Sequence, residues 1–362
     1  MIRRVCIVGC GAIGSLYAAH LARVAEVHVL VRRREHAQSL AANGLRVSGI
    51  HDFHSGIRAT CDVAELPPCD LAIVATKATQ TAEALAECGY LFDSGAVLSA
   101  QNGLGGEEII ARHTRARVIR GTTFMSGTRH SDAHVQYELD TATWMGPFEP
   151  TATPFSVVQE AAELINRSGL RAEALPDARP AQWAKVIFNS SVNAVSALTD
   201  LPHCPAFADE QEFCSLGHLL HALIEEGKRV AAAAGIVLHA DPWKMNCVGA
   251  QTNHPPSMLA DVRKHVRTEV DFLGGAIARE AERFGVPAPL HSGLYRLIKG
   301  KEAGWTFDQE NRPAAARGVR ANTDSAISGS NGLEFRVPPV DLQAPQEREN
   351  PSPKAETEKS KI

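Results

Sequence analysis

The chain has 362 residues, a net charge of −4 and 44% hydrophobic residues, enough to build two domains with cores of their own. Its slight acidity offers no general attraction to nucleic acid or to an anionic membrane surface, which excludes both as expected partners. No apolar run reaches the ~18 residues that span a bilayer, and the eight cysteines show neither C-x-x-C pairing nor zinc-type spacing, so a cytoplasmic protein without a metal centre is expected.

The first element is an apolar strand at Val5–Val8, stopped by a glycine loop. Gly9, Gly11 and Gly14 stand in G-x-G-x-x-G spacing, interleaved with Cys10, Ala12 and Ile13. These glycines serve a tight turn, close approach to a pyrophosphate, and packing of helix on strand. A helix beginning near Ala12 aims its free N–H groups at the phosphates. Arg3, Arg4 and the Ala-rich run after Gly14 imitate a signal peptide, but three glycines in phase and a second strand ending at Val31 fit a nucleotide fold. After that strand stand Arg32, Arg33 and Arg34, where an NAD-type fingerprint carries an acidic residue for the ribose hydroxyl. Positive charge suits a 2′-phosphate, so the expected cofactor is NADP(H), with Arg32 as the phosphate contact.

Further on, Glu35–Ala42 reads as a short helix, 44–60 as strand material, Asp70–Thr76 as a buried strand, Thr79–Cys88 as a helix and Ala96–Ala100 as a third buried strand. Alternation of strands and helices predicts a Rossmann-like doubly wound sheet with its ligand crevice at the carboxyl ends of the strands. Lys77 and Asn102 follow two such ends. Residues 118–146 alternate as extended strands expected to complete this sheet, followed by an amphipathic helix at Phe155–Arg167. The turn-rich Pro176–Pro180 marks a boundary. An α/β domain over 1–176 is therefore expected, then an all-α substrate and catalytic domain over 177–319, with helices at 181–199, 206–234, 257–284 and 289–299 and a short piece around Trp243. The stretch 320–362, rich in Ser, Pro, Glu and Lys, reads as a disordered tail.

In the helical part, Lys185, Asn189 and Asn193 stand at i, i+4 and i+8 among Val186, Ile187, Val192 and Val195, forming a polar stripe on an apolar helix. Either a ligand or facing side chains satisfy that stripe, or Lys185 snorkels to solvent while the asparagines cap backbone. Ser257 reads as the N-cap of the helix 257–284. On that helix Glu269 either pairs at the surface with Arg263, Lys264 or Arg267, or faces the cleft. His218 and His221 share a helical face but make a poor metal site by themselves.

Five ordered motifs resemble the ketopantoate reductases (2-dehydropantoate 2-reductases): G-C-G-A-I-G at 9–14, Lys77, Q-N-G-L-G at 101–105, K-V-I-F-N-S-S-V-N at 185–193, and S-M-L-A-D-V-R…T-E-V-D at 257–271. The resemblance implies that Lys185 is the proton donor, that Asn189, Asn193 and Ser257 hold the substrate, and that Glu269 contacts the nicotinamide side of the cofactor and orders Lys185. It implies that Asn102 and Lys77 border cofactor and substrate. The implied reaction is NADPH-dependent reduction of 2-dehydropantoate to (R)-pantoate, in pantothenate and coenzyme A biosynthesis, by a possible homodimer. A lysine of ordinary pKa, ~10.4, is expected to donate the proton. Two departures fall in substrate recognition: Pro255 and Pro256, which have no N–H to donate, and His203 where an asparagine is common in the family. They keep open a related reductase of another, bulkier or aromatic 2-oxo acid, beside a non-catalytic NADP(H)-sensing module.

Overall fold

A computed structural model describes residues 2–310; the segment expected as a tail, 320–362, lies outside the described residues. The chain runs through β1 (Arg4–Val8), α1 (Ala12–Leu21), β2 (Glu26–Leu30), α2 (Arg34–Asn43), β3 (Leu45–Gly49), β4 (Phe53–Ser55), β5 (Arg58–Thr60) and β6 (Leu71–Val74). It continues with α3 (Thr81–Cys88), β7 (Ala96–Ser99), α4 (Gly106–His113), β8 (Arg117–Thr123), β9 (Ser126–Ser131), β10 (His134–Leu139), β11 (Thr143–Pro147), α5 (Phe155–Arg167) and β12 (Ala172–Ala174). The remaining described elements are helical: α6 (Arg179–Thr199), α7 (Leu216–Ala233), α8 (Pro242–Gly249), α9 (Ser257–Arg263), α10 (Gly274–Phe284) and α11 (Pro289–Glu310).

The larger sheet has the order β12-β11-β8-β7-β6-β1-β2-β5. From β5 to β8 all pairs are parallel, and the order reverses between β1 and β6, the switch point of a doubly wound sheet. Its strands are apolar on both faces because both are covered. Val5, Ile7, Val29 and Ile73 join one core, while Cys6, Val8, Ala72 and Val74 join the other.

Residues 126–139 do not complete that sheet. β9 and β10 pair instead with β3 and β4 in a separate four-stranded sheet, which packs on the far side of α1. Helix α1 is thus enclosed between two sheets, with everything from Gly14 to Leu21 buried, and this is why its sequence is largely apolar on every face, its buried Ser15 and His20 being hydrogen-bonded. Ser55 Oγ donates to the Ala19 carbonyl at 2.8 Å and Tyr17 hydroxyl meets Thr143 Oγ1 at 2.6 Å.

In the helical region α6 is the central element, touching α7, α8, α9, α10 and α11. Two expected helices are shorter than predicted. Residues 205–207 form a single tight turn and α7 begins only at Leu216, because the intervening chain doubles back until a Cβ on Gly217 would lie 2.0 Å from the Asp209 carbonyl oxygen. The stretch 257–284 is broken after Arg263. His265 adopts a left-handed φ of 51°, and the Glu302 carboxylate, on α11, accepts both the N–H and the hydroxyl of Thr268 at 2.8 and 2.7 Å. None of the helices among the described residues is long and apolar enough to cross a membrane.

Candidate active site

Three neighbouring parallel strands deliver their carboxyl ends to one place. Lys77 follows β6, Asn102 follows β7, and Thr123 ends β8. From the helical side α6 brings Lys185, whose Nζ donates to Asn102 Oδ1 at 2.8 Å and to the Thr123 carbonyl. The start of α6 is fixed by a buried cluster: Gln182 Nε2 donates to the Gly103 carbonyl (3.1 Å) and to Glu107 (2.9 Å), while Arg120 donates to Gln182 Oε1 (2.8 Å). Lys185 lies one turn beyond this anchor, so its position is set from both ends.

The helix break carries Glu269 inward. Its side chain is not in the surface pair open to it in the sequence, since Arg263 binds Asp200 and Arg267 binds Asp271. Glu269 is instead 9% exposed, accepting the Ala78 N–H at 2.9 Å and Asn102 Nδ2 at 3.3 Å. Asn102 therefore joins the two ionisable groups, accepting from Lys185 and donating to Glu269. Burial raises the Glu269 carboxyl above its ordinary value, opposed by its two hydrogen-bond donors. Burial also pulls Lys185 down to about 8, opposed by the charge of Glu269. The ordinary lysine pKa expected from sequence is thus corrected: leaving bulk water disfavours the ammonium.

Other residues are placed less directly. Lys77 pairs with Asp261 on α9, a residue the sequence reading did not single out although it lies inside the S-M-L-A-D-V-R motif. Asn189 is half-buried and Asn193 is 6% exposed, and neither side chain has a hydrogen-bond partner among the described residues. Ser257 is exposed and is the first residue of α9, not its cap; Pro256 occupies the capping position with extended backbone, so the start of this helix gains no side-chain hydrogen bond. His203 is buried, its N–H bonded to the His254 carbonyl at 3.1 Å and its Nε2 to Asn246 at 3.0 Å. The two departures seen in sequence, His203 and the segment entering Pro255-Pro256, are therefore in contact. Aromatic rings continue from the lysine: Lys185 Nζ lies 5.5 Å from the Phe124 ring centre, Phe124 is 6.0 Å from Phe188 and 6.3 Å from Trp144, and Phe188 is 5.7 Å from His203. His221 faces Glu210 at 2.8 Å.

The glycine loop fits a dinucleotide. A Cβ at Gly14 would lie 2.0 Å from the Gly9 carbonyl oxygen, so helix and strand touch there, whereas a Cβ at Gly11 would meet nothing within 4 Å. Gly11 faces open space at the start of α1, and the first turn of that helix has no acidic residue, which leaves its N–H groups to an anion. Arg32 is exposed beyond β2.

The family description "Ketopantoate reductase PanE/ApbA" matches residues 5–150, and the corresponding C-terminal description matches 177–302. A 2-dehydropantoate 2-reductase of Archaeoglobus fulgidus is 30% identical over 303 residues, covering 84% of this chain and 99% of the relative. One from Pyrococcus abyssi is 30% identical over 302 residues, covering 83% and 98%. Among solved structures, a PanE/ApbA family ketopantoate reductase from Ralstonia eutropha is similar with a TM-score of 0.74 at 26% identity, over 84% of this chain and 99% of that one. A D-mandelate dehydrogenase with NADH and anilino(oxo)acetate shares the fold, with a TM-score of 0.75 at 22% identity and the same two coverages. With both halves of the chain matched and the crevice between strand ends and helices carrying the family's motifs, the chain belongs to the ketopantoate reductase family of oxidoreductases.

Proposed function

We propose that the protein reduces 2-dehydropantoate to (R)-pantoate with NADPH, a reaction of pantothenate and coenzyme A biosynthesis, and that Lys185 is its proton donor. The observation that carries this reading is the Lys185 ammonium at the strand ends, held by Asn102 and the Thr123 carbonyl within the field of Glu269. On this reading residues 1–176 hold the dinucleotide, with Gly9–Gly14 and the Arg32 region on its phosphates, and residues 177–319 hold the substrate. A bound reduced nicotinamide supplies the hydride. The chain supplies the rest: Lys185 stabilises negative charge growing on the substrate's 2-oxo oxygen and gives up its proton there. Glu269 and Asn102 keep the ammonium in place and Glu269 borders the nicotinamide. Asn189 and Asn193, whose amides have no hydrogen-bond partner among the described residues, orient the substrate, while Ser257 and Lys77 lie at its rim.

A second reading, a reductase of an aryl 2-oxo acid, is favoured by the rings of Phe124, Phe188, Trp144 and His203 that extend from Lys185. NADPH consumption with 2-dehydropantoate beside branched and aryl 2-oxo acids separates the two. The first reading expects the highest kcat/KM for 2-dehydropantoate; a higher value for phenylglyoxylate transfers the assignment to the second. No turnover of any acid, with NADPH still bound, contradicts both and leaves the sensing module.

A further inference from the structure

Of the arginines beyond β2, Arg33 meets the tip of the hairpin formed by β9 and β10. Arg33 Nη2 lies 2.6 Å and Arg129 Nη1 3.2 Å from Asp132 Oδ1, and His36 Nε2 lies 4.0 Å from the same oxygen. Three nitrogen groups, two from the segment after β2 and one from the second sheet, thus converge on a single carboxylate oxygen. The His36 side chain is only 7% exposed, and its Nε2 is buried with no hydrogen-bond partner among the described residues. A buried polar nitrogen of this kind is ordinarily satisfied; here, among the described residues, it faces Asp132 with the carboxylate oxygen beyond hydrogen-bond distance.

The place matters. Arg33 is the residue immediately before α2, at the end of the second strand, where a dinucleotide lying over the glycine loop puts its adenosine ribose. The hairpin reaches the same loop: burial lifts the Cys10 thiol to about 11, with the nearby charges of Arg129 and Asp132 pulling in opposite directions. Two guanidinium groups and an imidazole around one point are the chemistry of a phosphate monoester site. A carboxylate of the protein now stands at its centre.

We propose that Arg33, Arg129 and His36 form the subsite for the cofactor's ribose 2′-phosphate and that Asp132 is its resident counter-anion, displaced when the phosphate binds. The inference rests on the dinucleotide reading above and adds the residue that sets its selectivity. A dianionic phosphate and the Asp132 carboxylate cannot share the three donors without repulsion, so NADPH binding includes moving Asp132 aside. NADH, with a neutral hydroxyl there, leaves the carboxylate where it is. Asp132 therefore weakens the preference for NADP(H) that the arginines create.

The test is direct titration of the full chain with NADPH and with NADH, read by nicotinamide fluorescence or calorimetry, for wild type, Asp132→Asn, Arg129→Ala and the double variant. Asp132→Asn is expected to lower the Kd for NADPH about tenfold and to leave that for NADH within twofold. Arg129→Ala is expected to raise the NADPH Kd at least tenfold, and in its background the effect of Asp132→Asn shrinks. An unchanged or weaker NADPH affinity in Asp132→Asn overturns the proposal alone, as does a selective loss of NADH affinity, which would make Asp132 a ribose-hydroxyl acceptor. Failure of the wild type to bind either nucleotide overturns the dinucleotide reading and the proposal with it. Thermal denaturation of Asp132→Asn and of Asp132→Ser serves as the folding control.

Discussion

Lys185 enters the site with a pKa of about 8, and this sets the pH dependence of the reaction we propose. Reduction uses the protonated amine, which is the dominant form below pH 8 and is lost above it. The kcat/KM for reduction is therefore expected to be level at lower pH and to fall roughly tenfold per unit above the pKa. Because the charge of Glu269 raises the lysine pKa, Glu269→Gln moves this alkaline limb to lower pH as well as reducing the rate. A pH–rate series on both proteins checks it; a limb that stays in place would show that Glu269 does not act on the lysine. Spacing alone put Lys185, Asn189 and Asn193 on one helix face, because periodicity is local. The partners of Lys185 were not legible. The Thr123 carbonyl lies 62 residues away and Asn102 83 residues away, and no local pattern records such a meeting. The lysine pKa lies below the ordinary value expected from sequence for the same reason, since desolvation is a property of the assembled crevice.

At the scale of elements, the glycine loop gives a contrast between fold and binding. Gly14→Ala puts a methyl group 2.0 Å from the Gly9 oxygen, which must push α1 off β1 and is expected to cost about 3 kcal/mol of stability. Gly11→Ala meets nothing within 4 Å, so its melting temperature should match the wild type while its nucleotide affinity falls at least tenfold. Calorimetric melting and nucleotide titration of the pair test this, and a destabilised Gly11→Ala with intact binding would contradict it. The parallel strands and their helices were legible because each is a continuous apolar run or an amphipathic period. The four-stranded sheet was not: β10 alternates as any half-buried strand does while β9 is polar and mostly exposed, and only the pairing of β10 with β3, across some 90 residues, separates them from the larger sheet. The break after α9 was equally hidden, because the group that holds it open, Glu302, is 34 residues from Thr268. Without that break Glu269 stays on a continuous helix; with it, the carboxylate reaches Ala78 and Asn102.

For the whole molecule, the crevice is built from both halves of the chain. The Lys77–Asp261 ion pair and the Glu269 hydrogen bonds join strand ends to the helical region, so a group bound between them touches both. The motifs scattered from Gly9 to Asp271 made the family legible, since a crevice of this kind needs a few fixed residue types at each of its edges. Substrate choice was less legible, because it depends on how Phe124, Phe188 and His203 line up beyond the lysine. On the proposed mechanism Lys185 protonates the product of a nicotinamide-dependent reduction. The most direct measurement is steady-state NADPH consumption with 2-dehydropantoate by wild type and Lys185→Ala, with NADPH affinity titrated in both. Turnover is expected in the wild type, with a fall of about 10²–10⁴ in kcat for the variant and an NADPH Kd changed less than threefold. Equal kcat in the two proteins would contradict that mechanism.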